Sequence, residues 1–324
     1  MPIRLGPLRS EEAVTRVREQ GGWTSLDRSL IRVSGPNRAK FLHNLLSNDI
    51  QGLAPGQSRL AALMNLKGHQ VAWMRVLVES EALICELPTR VRDTVVETFI
   101  HYKVGAPVRF EKTAATVFGL FGAKSGEILA ALGVSPMPAE KETFTTKTGS
   151  EGTLRVSRGQ DLPAAGFTLH VPEGESGALE AALRTWLGEP MAPQTLETLR
   201  VEEGLPWHGF DVAEENLLHE TGQLSVYHSS SKGCYLGQEV VARLEGRGGN
   251  VNKKFVGLKS ASELSRGLEM EVDGKAVGRV TSAGVSPEFG PIAMGYVHRS
   301  HAEPGTRVQV KEGEAEIVTL PFRT

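Results

Sequence analysis

With 324 residues, 40% hydrophobic and 23% charged, the chain is too long for one ordinary core, which predicts two or three domains and excludes a disordered or membrane-protein composition. Its 36 basic and 38 acidic residues leave a formal net charge of −2, so whole-chain electrostatics make no case for nucleic acid. Two cysteines, Cys85 in an apolar run and Cys234 beside Gly233, exclude a disulfide framework and suit a reducing cytoplasm. The opening Met1-Pro2-Ile3-Arg4-Leu5-Gly6-Pro7 lacks the apolar core of a signal peptide, and no stretch reaches the roughly 18 apolar residues of a membrane span. A cytoplasmic protein without a membrane partner is expected.

In chain order, residues 11–20 read as a polar helix and Leu30 to Val33 as a strand ending at Ser34-Gly35-Pro36. Phe41, Leu42, Leu45 and Leu46 fall at helical spacing and stop at Ser47-Asn48-Asp49. Three strands are predicted next, Arg59 to Met64, Val71 to Val78 and Leu83 to Leu87, with Lys67-Gly68 turning between the first two. Thr89 to His101 is amphipathic and helical. A second strand and helix follow at Thr116 to Phe121 and Ser125 to Leu132, then a loop or loose hairpin over Ser135 to Ser150. Strands at Leu154 to Ser157 and Phe167 to Val171 lead to helices at Ser176 to Leu187 and Pro193 to Glu203. Beyond Gly248-Gly249 come six short extended runs separated by glycine and proline turns, which predict a small antiparallel barrel or sandwich.

The stretch Lys232-Gly233-Cys234-Tyr235-Leu236-Gly237-Gln238-Glu239, followed by Arg243 and Arg247, places a cysteine among cations. Neighbouring positive charge favours the thiolate over a free thiol of pKa about 8.5. Gln238 to Gly246 reads as a short helix, so Cys234 lies just upstream of a helix amino terminus.

That octapeptide resembles the signature of the YgfZ family, folate-binding proteins related to the glycine-cleavage T-protein and associated with iron-sulfur cluster maturation. Three further pieces are similar to the T-protein superfamily and occur in its order. They are Leu30-Ile31-Arg32-Val33-Ser34-Gly35 with Phe41-Leu42 and Asn48-Asp49-Ile50; Leu199-Arg200-Val201-Glu202-Glu203-Gly204-Leu205-Pro206 with Gly209 and Asp211; and Lys253-Lys254-Phe255-Val256-Gly257-Leu258. The resemblance implies an α+β, three-domain clover-leaf around a central folate cleft, closed by a C-terminal small antiparallel β-barrel. The domains would be a first α+β folate-cleft domain at 1–110, a second α+β domain carrying the signature at 111–248, and the barrel at 249–324.

By the same resemblance the cofactor is tetrahydrofolate or a derivative. One carboxylate can accept the paired N–H groups of a reduced pterin, and Glu202 is the candidate. Folate's glutamate tail is anionic, and Lys232, Arg243, Arg247, Lys253 and Lys254 outnumber Glu239 and Glu245 by three between residues 232 and 254. Lys232, Tyr235, Arg243 and Arg247 join Glu202 as cofactor-contacting candidates, with Cys234 as the reactive thiol.

One departure from T-proteins bears on the reaction. In Asn65-Leu66-Lys67-Gly68-His69-Gln70-Val71-Ala72-Trp73-Met74, Ala72 and Trp73 fall where T-proteins carry paired aspartates, and neither can take a proton. Aminomethyl transfer is thereby disfavoured unless another carboxylate serves; Asp49 and Glu86 are nominal substitutes. The expectation is a folate-binding protein that assists iron-sulfur cluster assembly or repair. Its partners would be client enzymes, tRNA-modifying ones among them, or assembly proteins, with no direct nucleic-acid contact and a monomeric state. The alternative is an aminomethyl or methyl transferase of the T-protein type. A cysteine hydrolase using Cys234 with His228 or His219 is a further rival. No metal site is expected, since His298-Arg299-Ser300-His301 lacks a third ligand. Trp207-His208 reads as loop packing.

Overall fold

A computed structural model describes residues 10–138, 140–311 and 313–323; the amino-terminal heptapeptide read above lies outside them. The chain forms two five-stranded antiparallel sheets, each backed by helices, followed by a closed six-stranded barrel.

The first sheet runs in the order Ser58–Met64, Gln70–Val78, Ala82–Pro88, Arg28–Ser34, Arg109–Thr113. Alternation sends successive side chains to opposite faces. Ala72, Met74, Val76 and Cys85 join Phe41, Leu42, Val95 and Phe99 of helices Arg38–Leu45 and Arg92–Tyr102 in one core. Trp73, Arg75 and Leu77 therefore face the other way, toward the second sheet, where Leu77, Leu30 and Ile84 meet Val117 and Phe121. Both faces are covered, which is why Gln70–Val78 reads as a continuous apolar run rather than a strict alternation.

The second sheet runs Gly22–Ser25, Ala115–Phe121, Phe167–Pro172, Thr153–Arg158, Thr143–Thr148. Helices Ser125–Ala131 and Glu173–Leu187 cover its outer face through Ile128, Leu129, Leu179 and Leu183. Helix Pro193–Glu202 then links to the barrel, whose strand Lys253–Ser260 pairs with both Gly290–His298 and Gly313–Val318 to close it. Gly284 in the barrel strand Lys275–Ser286 permits that helix to dock, because a Cβ there would sit 3.0 Å from the Thr198 Cα.

The α+β architecture with a terminal barrel agrees with expectation. Two local readings need correction and a third is resolved. Strand Gly22–Ser25 was unrecognised and crosses from the amino-terminal region into the second sheet, while the first sheet extends to Thr113. Of the loop or loose hairpin expected over Ser135 to Ser150, the hairpin is found: Thr143–Thr148 is an edge strand paired antiparallel with Thr153–Arg158. The signature segment, grouped by sequence with the second domain, packs instead on the first. Gly237 adopts φ +81° against the Asn65 carbonyl and Met64, and Val240 sits over Gly68.

Candidate functional site: a central aromatic cavity

A cavity of about 300 Å³ opens where the two sheets and the linking segments meet. Its walls are aromatic: Trp73 stacks on Tyr227 at 4.0 Å between ring centroids, and Trp207 and Phe210 line it as well. Each indole is held by its N–H, Trp73 Nε1 donating to Gln70 Oε1 at 2.8 Å and Trp207 Nε1 to the Asp161 carbonyl at 3.0 Å. Fixed flat walls of this kind suit a planar ring.

The base of the cavity carries charge that is internally matched. Arg28 and Asp161 line it, and behind them Arg75, with no exposed surface, pairs with Asp161 and, at 3.3 Å, with Glu142. Glu86 accepts from Arg28 at 3.1 Å and meets His170 Nε2 at 2.9 Å. Burial alone would raise the Glu86 carboxyl, yet Arg28, His170 and Arg75 outweigh it and hold it at about 2. Burial likewise opposes charge on Arg75, but Asp161, Glu142 and Glu86 raise it above the ordinary arginine value. Burial together with the Asp161 charge keeps the Tyr227 hydroxyl protonated well beyond its usual range.

His208 also lines the cavity, 7% exposed, with the Gln70 backbone as the polar neighbour of its ring. Burial, opposed by a hydrogen bond to the Gln70 backbone and aided by Arg90, lowers it to about 4, so the ring is neutral at pH 7. The loop bearing it is pinned beneath by Asp211, which accepts from Arg200 and from the Trp207 N–H at 2.9 Å and from Ser282 at 2.5 Å.

The residues singled out from sequence lie elsewhere. Glu202 is wholly buried, pairs with Arg18, and accepts from Ser286 Oγ at 2.5 Å. Its position follows from matched repeats. Four helical residues rise about 6 Å and two strand residues about 6.6 Å, so Thr198 on Gly284 places Glu202 on Ser286. It faces the barrel and does not line the cavity. Lys232 donates to the carbonyls of His43 and Leu46, capping helix Arg38–Leu45, and lies 4.8 Å from the Tyr235 ring centroid. Burial lowers its ammonium to about 8. Tyr235 is buried against Met64 and Val241. Cys234, Arg243 and Arg247 are exposed, and none of the five signature residues lines the cavity.

Cys85 is buried, and its thiol is pushed up to about 12 by that burial. Of the nominal substitute carboxylates, Asp49 contacts His43 at 3.2 Å on the outer side of the first domain, and Glu86 is locked in the buried pairing behind the cavity. The carboxylates that do line it, Asp161 and Asp27, were not picked out by sequence, nor were Trp207, His208 and Tyr227. Only the Arg-x-Glu helix and its following loop pointed near them. Among the described residues no three His, Cys, Asp or Glu side chains gather to hold a metal, and no helix is long and apolar enough to cross a membrane.

Two family models account for nearly all of this architecture: residues 10–227 match the GCVT N-terminal domain and residues 253–323 the glycine cleavage T-protein C-terminal barrel domain. The chain belongs to the glycine-cleavage T-protein family. It is 27% identical to an aminomethyltransferase of Streptomyces coelicolor over 99% of this chain and 91% of that protein. It is 29% identical to the mitochondrial aminomethyltransferase of Gallus gallus over 90% and 78%, and 26% identical to a putative chloroplastic transferase of Arabidopsis thaliana over 90% and 68%. The glycine cleavage system aminomethyltransferase T from Bartonella henselae has the same fold, with a TM-score of 0.89 at 22% identity over 98% of this chain and 90% of that one. Aminomethyltransferases of this family use tetrahydrofolate, and a folate cofactor is consistent with membership.

Proposed function

We propose that this T-protein family member binds tetrahydrofolate or a derivative in the central cavity and takes part in transferring a one-carbon group to or from it. The observation that carries this reading is the cavity itself, with flat walls from Trp73, Tyr227, Trp207 and Phe210 and the neutral imidazole of His208 among its polar lining. A reduced pterin is planar over much of its area and has a polar edge needing such a partner. When bound, the folate would supply the nitrogen that carries the one-carbon unit. The chain's own residues would clamp the ring, exclude water and orient its edge.

The transferase reading stands first because the relatives matched over most of the chain carry transferase names. Trp73 removes a carboxylate at the position where T-proteins carry one, but Asp161 and Asp27 supply carboxylates to the same cavity. Asp161, paired with Arg75 and Arg28, is held in a fixed orientation suited to positioning a cationic substrate. A second reading, assistance to iron-sulfur cluster assembly in the manner of YgfZ proteins, is favoured by one observation. Cys234 is exposed within electrostatic range of the partly buried Lys232. It needs no reaction at the cavity carboxylates. For either reading we take the cytoplasm as the compartment and the monomer as the working unit.

Titration with tetrahydrofolate, followed by tryptophan fluorescence because Trp73 and Trp207 line the cavity, tests the binding step. Incubation with tetrahydrofolate and an aminomethyl donor then separates the two readings. Formation of methylenetetrahydrofolate supports the transferase, and binding without turnover leaves the cysteine-based role.

A further inference from the structure

The cavity mouth holds a charge arrangement unlike that at its base. Arg90, from the end of the first sheet, donates to the carbonyl of His208 and, at 3.1 Å, to that of Gly209. Arg266, from the barrel domain, donates to the carbonyl of Phe210 and, at 3.5 Å, to that of Gly209. Both guanidinium carbons lie over the Phe210 ring, 5.6 and 5.3 Å from its centroid. Neither arginine forms an ion pair within 4 Å of a carboxylate among the described residues. Arg200, which also approaches Phe210, is instead matched by Asp211 and Glu197.

Two like charges drawn to one ring repel; burial and the neighbouring Arg266 charge lower Arg90, and Asp27 on the same rim opposes that shift. Carbonyl hydrogen bonds and the ring face hold the pair together, but they leave its charge unneutralised. Arg90 and Phe210 both line the cavity, so the surplus sits at its opening. Guanidinium groups present paired N–H donors that match a carboxylate.

We infer that Arg90 and Arg266 form a carboxylate-binding rim that takes the anionic tail of a ligand whose ring enters the cavity. The inference rests on the folate reading and names the part of that ligand the rim recognises: the glutamate carboxylates beyond the pterin and benzoyl groups. It moves this role from the cations of residues 232–254, which lie on other surfaces, to two arginines far apart in sequence. The rim is solvent-exposed, so its contribution falls with added salt.

The experiment compares two ligands on the full chain: tetrahydrofolate and 6-methyltetrahydropterin, which lacks the tail. Wild type is expected to prefer tetrahydrofolate, with the preference shrinking between low and high salt. Arg266→Gln should weaken tetrahydrofolate binding about threefold to fivefold, the scale of a screened surface pair, and leave the pterin unaffected. Arg266→Glu, at an exposed position, should weaken it further. Arg90→Gln should act in the same direction, and equal losses for both ligands would mean that it only holds the loop. Equal wild-type affinity for the two ligands, or tetrahydrofolate binding indifferent to both Arg266 variants, overturns the rim while leaving folate binding intact. Failure of wild type to bind either ligand overturns the folate reading and the rim with it.

Discussion

Cations gather at two places on the first domain, and what neutralises them differs. Behind the cavity, Arg28 and Arg75 are matched by Glu86, Asp161 and Glu142. In the signature segment, Lys232 donates to helix-end carbonyls and, among the described residues, to no carboxylate, while Arg243 and Arg247 face solvent. A fully buried guanidinium must be matched by carboxylates, since desolvation is otherwise too costly, whereas a half-buried ammonium can rely on carbonyl dipoles. The contrast predicts unequal costs of removal. Arg75→Met should destabilise the protein by about 3–5 kcal/mol, because Asp161 and Glu142 would be left buried with too little compensation. Adding Asp161→Asn should restore part of the loss. Urea unfolding of the single and double variants would check this, and a cost near that of a surface arginine would remove the distinction.

The same cluster sets a pH dependence. Glu86 is held at about 2 in the folded chain, below the ordinary 4.5. A depressed carboxylate contributes stability that is present above its unfolded value and lost as pH falls toward its folded value. The loss should therefore run between about pH 4.5 and 2, amounting to about 3 kcal/mol by proton linkage. Burial raises Glu142, so that neighbour titrates in the opposite sense and partly masks the effect. Unfolding midpoints measured from pH 7 to 3 for wild type and Glu86→Gln would isolate it. The variant, less stable at neutral pH, should show the shallower acid decline.

Much of the fold was legible because it rests on local periodicity. The strands of the first sheet and the barrel, and the helices that back the sheets, stand within a few residues of where the apolar pattern put them. The exceptions have nonlocal causes. Gly22–Ser25 is four residues long, and its partner is Phe118–Phe121, nearly a hundred residues away. Arg109–Thr113 is a polar edge strand whose side chains give no apolar alternation. The site was far less legible, since its walls come from residues 73, 161, 207 and 227, brought together only by domain packing. The Arg-x-Glu motif led to the right neighbourhood but the wrong side chain, because its last turn follows the barrel strand. A cysteine flanked by cations is conspicuous in a sequence, whereas Trp207-His208 reads as an ordinary loop.

Smaller effects sharpen the contrast from the signature side. Lys232→Met removes donors to two carbonyls at the end of helix Arg38–Leu45, for which about 1 kcal/mol is the expected cost, measurable in the same unfolding series. The smallest expected effect is on the proposed folate site. Cys234 is exposed, and neither it nor its neighbours Lys232 and Tyr235 lines the cavity. Alkylating Cys234 with iodoacetamide should therefore leave tetrahydrofolate affinity within about twofold, the scale of a surface change remote from a site. Cys85 will not confuse the result, since its buried thiol, raised to about 12, stays protonated and shielded. Affinity lost on alkylation would mean that the signature loop reaches the ligand in solution, joining two regions that the static arrangement keeps apart. Affinity retained while a cellular cluster-enzyme readout falls would assign the thiol to a partner and the cavity to folate, two functions on one chain with separate surfaces.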